Sequence, residues 1–407
     1  DLAEPLARAF AGSQDLPRPF RRYQVGQVWR FEKPGPGRFR EFYQFDFDTV
    51  GSASMAADAE SCALACDALE ALGFRRGEYI IRVNNRKALQ GTLESAGLGE
   101  SDISDDSSQV SIALRAIDKL DRIGIDGVNQ LLDAGRKDES GDFTAGAGLD
   151  KAQIDMLGKY LQAKDSNRSD VCDKLEALAG KSKTGAEGVA ELREIDRHLA
   201  ALGYQADRVE FDPTIVRGLG YYTGPVFEGV ITKQLTDKKG VTRDFGSVFG
   251  GGRYDTLVQR FTGQAVPATG ASIGIDRLLE AAKLLQTSKA RNSTSDVLVT
   301  VMDTERIDDY LKLTQQIRSA GINAEMYLGS RNLGKQLQYA DRCEIPLAII
   351  AGSEEFESGQ YQIKDLELGR QLAAEISDHE QWRKGRPSQQ PVMAGELIAK
   401  LKELLKR

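Results

Sequence analysis

RRYQVGQVWRFEKPGPGRFREFYQFDFDTVG, residues 21–51, reads as two strands joined by a loop. Val25, Val28 and Trp29 give an apolar run, and Phe42 to Val50 alternates aromatic with acidic residues, the period-2 mark of a half-buried strand. Between them, Glu32-Lys33-Pro34-Gly35-Pro36-Gly37 is turn chemistry. Arg30, Arg38 and Arg40 bracket the loop. An ordinary hairpin needs no guanidinium cluster at its mouth. A polyphosphate site does, because arginine offers a planar, bidentate, always-charged donor fork. Gln44, Asp46 and Asp48 fall on one strand face, which sets an amide and two carboxylates beside the arginines. On these residues alone, a charged and solvated hairpin is an equally open reading.

The chain of 407 residues is too long for one ordinary core, so two or three domains are expected. Hydrophobic residues at 41% and charged residues at 28% describe a soluble globular class. No window approaches the apolar length of a membrane span, and the opening Asp1-Leu2-Ala3-Glu4-Pro5 is no signal peptide. Cys62, Cys66, Cys172 and Cys343 lack CxxC spacing, which suggests reduced thiols in a cytoplasmic protein. His198 and His379 are the only histidines and lie far apart, which excludes a His-rich metal site. A net charge of −7 argues against a non-specific nucleic-acid coat but is compatible with a local basic surface.

Around the opening stretch, Leu6, Ala7 and Phe10 predict a short helix, and Ala56 to Leu72 another that Gly73 stops. Tyr79 to Val83 predicts a strand, with Asn84-Asn85 as a turn. Together these predict an antiparallel sheet flanked by helices. From about Gly91 to Lys183 helical patterns dominate and no chemistry shows. Val189 to Leu202 is an amphipathic helix through Leu192, Ile195 and Leu199, with His198 at its surface.

Three glycine-rich segments follow. In residues 217–224, RGLGYYTG, glycines let the backbone pass close to a ligand and leave Arg217 little shielded from an anion. Tyr221 and Tyr222 would face opposite sides if the segment is extended. Residues 245–255, FGSVFGGGRYD, surround Arg253 and Tyr254 with glycine. In residues 267–285, small Ala271, Ser272 and Gly274 lead into a helix opened by Asp276-Arg277, where the helix dipole adds to the field of Arg277. Beyond a polar linker at 290–295, strands and helices alternate to the end and predict a compact α/β domain with a mostly parallel sheet. Arg331 and Lys335 form a basic pair at a helix start.

Residues 21–51 resemble motif 2 of the class II aminoacyl-tRNA synthetases, in the form found in the histidyl-tRNA synthetase family. Residues 217–224 and 245–255 resemble the two histidine-specific motifs of that family, residues 267–285 resemble motif 3, and residues 296–407 resemble the class II anticodon-binding domain. The resemblance implies an α+β fold: an antiparallel sheet flanked by helices, a helical insertion and a C-terminal α/β domain. It implies catalytic parts at 1–90 and 189–290, the insertion at 91–188 against the tRNA acceptor arm, and anticodon binding at 295–407. It also implies a motif 1 region preceding Asp1, so that the chain is expected to be a fragment.

The activity implied is that of a histidine–tRNA ligase: histidine is activated with ATP and Mg²⁺ to histidyl-adenylate and transferred to tRNA(His) by a cytoplasmic homodimer. By the same resemblance Arg30 meets the α-phosphate and the carboxylate, Arg38 and Arg277 the β- and γ-phosphates, and Arg217 the charge developing in the reaction. Glu32 would contact the adenine end or a metal-bound water, and Phe42 would stack on adenine. Gln44, Asp48, Tyr221, Tyr222 and Tyr254 would form the histidine pocket, with Asp1 on the ammonium group. Ala3, Gly220 and Phe249 depart from the family pattern, which carries threonine, an acid and glycine there. The alternatives are a non-catalytic, histidine-binding regulatory paralogue and a tRNA-sensing module of a stress kinase. Arg217 and the 296–407 segment count against the first, and the lack of kinase motifs against the second.

Overall fold

In the computed structural model, which describes residues 2–13, 15–31, 33–35, 37–99, 107–137, 141–218, 220–236, 240–243, 245–285, 292–375 and 388–406, the opening stretch is a long hairpin. Strands β1 (Phe20–Trp29) and β2 (Glu41–Val50) pair antiparallel from Phe20 opposite Val50 to Trp29 opposite Glu41. Helix α1 (Ala3–Gly12) precedes them, and α2 (Met55–Ala71), capped by the Ser54 side chain, follows. Next comes β3 (Tyr79–Asn85). Asn84 and Asn85, expected as a turn, end this strand, because the Asn85 side chain caps α3 (Arg86–Ser95) by accepting from the Lys87 N–H. A largely helical stretch then holds α4 (Gln109–Ile117), α5 (Leu120–Leu132), a small hairpin of β4 (Gly135–Lys137) and β5 (Phe143–Ala145), α6 (Lys151–Leu161), α7 (Arg168–Ala179) and α8 (Lys183–Ala201).

The chain returns to the sheet through β6 (Val209–Phe211) and β7 (Pro225–Ile231), makes a short β8 (Leu235–Thr236) and β9 (Thr242–Arg243) pair, and continues as β10 (Ser247–Arg253), α9 (Gln259–Thr262), β11 (Ala268–Gly274) and α10 (Ile275–Leu285). Seven strands form one sheet in the order β1-β2-β11-β10-β7-β3-β6. Every pairing in it is antiparallel except β3 with β6. One face buries Phe47, Ile81, Val83, Phe227, Phe249 and Ile273 against Cys62, Leu69, Leu89, Leu192 and Ile195 of α2, α3 and α8. Helices α3 and α8 pack almost backbone to backbone, for a Cβ on Gly91 would lie 2.2 Å from Gly185 Cα. These elements belong to a unit spanning Asp1–Ser288.

The second unit, Lys289–Arg407, has a five-stranded sheet. Its elements are β12 (Val297–Val299), α11 (Ile307–Ser319), β13 (Ala324–Met326), α12 (Leu333–Arg342), β14 (Leu347–Ile350), α13 (Ser353–Ser358), β15 (Gln360–Asp365), α14 (Leu366–Glu375), β16 (Gln389–Met393) and α15 (Leu397–Leu404). The order is β13-β12-β14-β15-β16. The expectation of a mostly parallel sheet is corrected: β13, β12 and β14 run parallel, but β15 and β16 join antiparallel. The reason is length. Only residues 351–359 separate β14 from β15, fewer than the dozen or so that a parallel crossover requires.

The α3–α8 approach sets a stability test. Gly91→Ala is expected to lower unfolding free energy by about 1–3 kcal/mol through overpacking. Gly158→Ala within α6, where an added Cβ meets nothing within 4 Å, is expected to raise it by about 0.4–1 kcal/mol. Urea denaturation of both variants checks the pair.

Candidate active site

Register turns the strands into a site. On the sheet face away from the α2–α3–α8 core, one cross-strand row runs Gln24, Asp46, Ser272, Gly250, Glu228, Arg82, Glu210. The next row on that face runs Arg22, Asp48, Gly270, Gly252, Val226, Asn84. Glycine and serine fill the middle of both rows, so the sheet carries little side-chain bulk there. Above it lies a cleft of 1380 Å³ whose lining includes Arg30, Arg38, Arg217, Arg277, Phe42 and Gln44.

The acceptor side of the cleft is built on β2. Tyr254 donates its hydroxyl to Asp48 Oδ1, and Arg22 Nη2 lies 3.0 Å from Asp48 Oδ2. Gly270 is required beside this carboxylate, because a Cβ there would lie 2.1 Å from Asp48 Oδ1. Burial pushes the Asp48 carboxyl above its usual range, with Tyr254 and Arg22 opposing. Burial also pushes Asp46 up to about 6, against a hydrogen bond with Ser272. Gln44 Oε1, Asp46 Oδ1 and Asp48 Oδ2 are buried without a hydrogen-bond partner among the described residues. For Asp48 Oδ2 the Arg22 contact meets the distance of an ion pair but not hydrogen-bond geometry. An unpaired buried acceptor costs about 1–3 kcal/mol. Gln44 Oε1 and Asp46 Oδ1, on the strand face that also carries the Arg22-paired Asp48, suit a donor-rich ligand.

The cationic side comes from loops and a helix start. The Arg30 guanidinium lies over the Phe42 ring at 5.3 Å, and its backbone N–H donates to Arg40 O at 2.9 Å. Arg277, in the first turn of α10, donates to Ser247 O at 2.5 Å and to Gly37 O at 3.5 Å. Its neighbour Asp276 accepts the Tyr43 N–H at 2.6 Å. The two residues therefore tie the β1–β2 loop, β2 and the start of β10 to the first turn of α10. Arg217 pairs with the buried Glu228.

Tyr221 and Tyr222 do not point to opposite sides. The segment is a turn, in which both N–H groups donate to Gly218 O at 3.0 and 3.2 Å. The two rings meet edge to face at 5.0 Å, and both line the cleft. Burial pushes the Tyr222 hydroxyl up to about 12 and raises Tyr221 and Tyr254 as well, so all three remain donors. Gly218 and Gly220 have positive φ, and a Cβ on Gly218 would lie 2.2 Å from the Tyr222 ring.

A family model described as histidyl-tRNA synthetase matches residues 1–278, and one described as anticodon binding domain matches residues 296–403. The histidine–tRNA ligases of Roseobacter denitrificans and Paracoccus denitrificans are 53% and 54% identical to this chain. Each match covers 100% of the chain and 81% of the relative. This chain belongs to the histidyl-tRNA synthetase family. The crystal structure of histidyl-tRNA synthetase from Nostoc sp. PCC 7120 superposes with a TM-score of 0.77 at 31% identity, covering 99% of this chain and 82% of the other. An ATP phosphoribosyltransferase regulatory subunit/histidyl-tRNA synthetase from Bacillus halodurans C shares the fold with a TM-score of 0.62 at 22% identity, covering 83% of this chain and 76% of that one.

Within this histidyl-tRNA synthetase fold, the cleft brings together Arg30, Arg38, Phe42, Gln44, Arg217, Tyr221, Tyr222 and Arg277. Asp48 and Tyr254 form a buried pair beside it. Asp1 and Glu32 lie outside the described residues. Sequence reasoning missed Arg22, which sits directly across the hairpin from Asp48, and cross-strand register was the signal that could have found it. Nothing in the sequence pointed to Glu228 as the partner of Arg217. Arg253, read with the glycine-rich motif, turns instead into the interior, where it pairs with Asp58 and donates to Ser52 O and Ser54 O at 3.1 and 3.2 Å. Of the departures, Ala3 lines the cleft, Gly220 takes the left-handed conformation, and the Phe249 ring stacks on Phe47 in the core.

The Asp46 carboxyl makes stability depend on pH. Its folded pKa of about 6 exceeds the ordinary 3.8. Its contribution therefore favours folding below 3.8 and is lost as pH rises through about 6, and at neutral pH the buried anion is a cost. Replacing it with the neutral amide is expected to stabilise the ligand-free protein by up to about 3 kcal/mol at pH 7.5. Thermal unfolding of Asp46→Asn should show a Tm gain at pH 7.5 that shrinks or reverses at pH 4.5.

Proposed function

We propose that the cleft activates histidine with ATP and transfers the histidyl group to tRNA(His). The observation that carries this reading is the meeting of two chemistries at one cleft: four arginines line it, and on β2 Gln44 lines it with the buried carboxylates Asp46 and Asp48 on the same strand face. A nucleoside triphosphate needs the first. An amino acid with an ammonium group and a ring N–H needs the second.

In the first step the histidine carboxylate attacks the α-phosphorus of ATP and pyrophosphate leaves. In the second, a terminal ribose hydroxyl of the tRNA takes the acyl group and AMP leaves. Arg30 and Arg217 neutralise charge growing on the α-phosphoryl oxygens and orient the carboxylate, while Arg38 and Arg277 hold the β- and γ-phosphates. The hydrogen bonds of Arg277 to Ser247 O and Gly37 O give it a fixed starting position, which favours preorganisation. Phe42 offers a ring face for adenine. Magnesium would be supplied with the ATP substrate and would offset phosphate charge there. Asp48 accepts an imidazole N–H, with Gln44, Tyr221, Tyr222 and Tyr254 around the ring. Asp1 on the ammonium group and Glu32 at the adenine end complete the proposed set. A site that reads a ring through buried hydrogen bonds rejects apolar analogues strongly.

The catalytic parts are 1–90 and 189–290, the insertion at 91–188 meets the acceptor arm, and 295–407 binds the anticodon stem-loop. There the exposed Arg331 and Lys335, flanking the start of α12, suit phosphate contacts. The protein acts as a cytoplasmic homodimer. Among the described residues no helix is long and apolar enough to cross a membrane.

Amino-acid-dependent ATP–pyrophosphate exchange across the twenty amino acids tests this reading. Exchange with histidine alone is expected, falling by about 10²–10³-fold in Arg217→Ala. Histidine binding without exchange, or exchange driven by another amino acid, overturns it. Sedimentation of the intact protein, with its motif 1 region, at micromolar concentration should show a dimer.

A further inference from the structure

Arg217 stands at the end of a stretch that leaves the sheet. Strand β6 stops at Phe211, the Asp212 N–H donates to Val83 O at 2.8 Å, and residues 213–216 then run outside any strand to the arginine. Thr214, Ile215 and Val216 line the cleft beside it. Backbone polar groups in such a stretch need partners from elsewhere. Asn84 supplies them. Its Nδ2 donates to Pro213 O at 3.1 Å and to Ile215 O at 2.9 Å. Its Oδ1 accepts the Tyr160 hydroxyl at 2.9 Å. Both side chains are buried, Asn84 at 2% exposure and Tyr160 at 0%.

We propose that Asn84 is a positioning residue for Arg217, and that Tyr160 of α6 locks the Asn84 amide so that the packing of the helical stretch between β3 and β6 is felt at the arginine. The proposal rests on the reading of Arg217 as the residue that meets the reacting phosphoryl group. The amide has one workable orientation. Reversed, its oxygen would face two carbonyl oxygens. Tyr160 has one hydroxyl proton to give, and burial keeps that proton on. A second brace runs from the same region. Lys164, just past α6, donates to Asp212 Oδ2 at 3.0 Å and to Glu210 Oε1 at 2.7 Å. Asp212 Oδ1 accepts the Thr214 N–H and hydroxyl at 3.0 and 2.6 Å. The backbone two to four residues before Arg217 is therefore held by Asn84 of β3 and by Asp212 just past β6, with α6 and its C-terminal flank behind them. Displacing a charge-stabilising group by an ångström costs on the order of 10²-fold in rate.

The test uses the full chain carrying Asn84→Ala or Tyr160→Phe, each alone and combined with Arg217→Ala. Exchange of pyrophosphate with histidine and ATP at saturation gives kcat, and hydrogen exchange by mass spectrometry reads the amides of 212–218. In an otherwise unchanged chain, kcat is expected to fall about 10-fold or more for Asn84→Ala and about 3-fold or more for Tyr160→Phe. With Arg217→Ala already present, neither is expected to cost more than about 2-fold. Amide protection across 212–218 should fall in both variants. A purely structural role predicts the same fold-loss in both backgrounds, and that result overturns the proposal, as does unchanged kcat. If Asn84→Ala does not fold, Tyr160→Phe carries the test, since it removes one oxygen. If the unmodified chain shows no histidine-dependent exchange, the ligase reading fails by itself. Hydrogen exchange then decides the clamp, and unaltered protection at 212–218 overturns it.

Discussion

The Asp48 carboxylate is the point on which the site depends. Taking a carboxylate out of water costs several kcal/mol unless partners compensate, and here two partners and the room for the group come from three separate places. Arg22 reaches across from β1, Tyr254 donates from just past β10, and β11 contributes a glycine at 270 because nothing larger fits. Sheet register is what delivers them. A one-residue slip of β2 would turn Gln44, Asp46 and Asp48 into the helical core and bring Phe45 and Phe47 into the cleft. The packing of Phe47 against Phe249 and the binding face of β2 are thus two consequences of one register.

Charge is distributed in the way the proposed pairing of a polyanion with an amino acid requires. The arginines sit on loops and a helix start, half-exposed or exposed, where solvent screens them until a ligand excludes water. The acceptors sit on a strand, buried, where a donor is worth more. The acidic balance of the whole chain does not conflict with this, because the cationic groups converge only in three dimensions. A different buried pair, Arg253 with Asp58, ties β10 to α2 behind the cleft. Burial lifts Asp58 to about 6 even with the guanidinium against it. That pair holds the strand from which Gly250, Gly251 and Tyr254 take their places.

Much of this was legible beforehand. The alternation of residues 42–50 gave the acceptor face, the glycine-rich segments gave the arginine positions, and small residues before Arg277 gave the strand-to-helix passage. What was not legible involved pairs distant in sequence. Arg22 and Glu228 drew no reading of their own, and Arg253 was read only as part of a glycine-rich segment. The facing of the tyrosine pair stayed conditional, because it depends on φ at Gly218, and glycine permits either an extended run or a turn. The C-terminal sheet was expected to be mostly parallel because strand–helix alternation suggests it, although the short β14–β15 connection forces the reversal.

The sequence by itself determined which local elements form and which chemistry they carry, since hydrophobic period, turn residues and motif spacing are local properties. Tertiary structure alone decided which of those groups meet. Whether a carboxylate is ionised, an arginine is paired or an asparagine clamps a loop depends on neighbours brought together by strand order and helix packing. The Asn84–Tyr160 contact shows the difference most plainly. Asn84 reads as part of a turn and Tyr160 as one more residue of a helical pattern, and only the return of the chain from α6 to β6 places a phenol, an amide and the backbone before Arg217 within hydrogen-bonding distance.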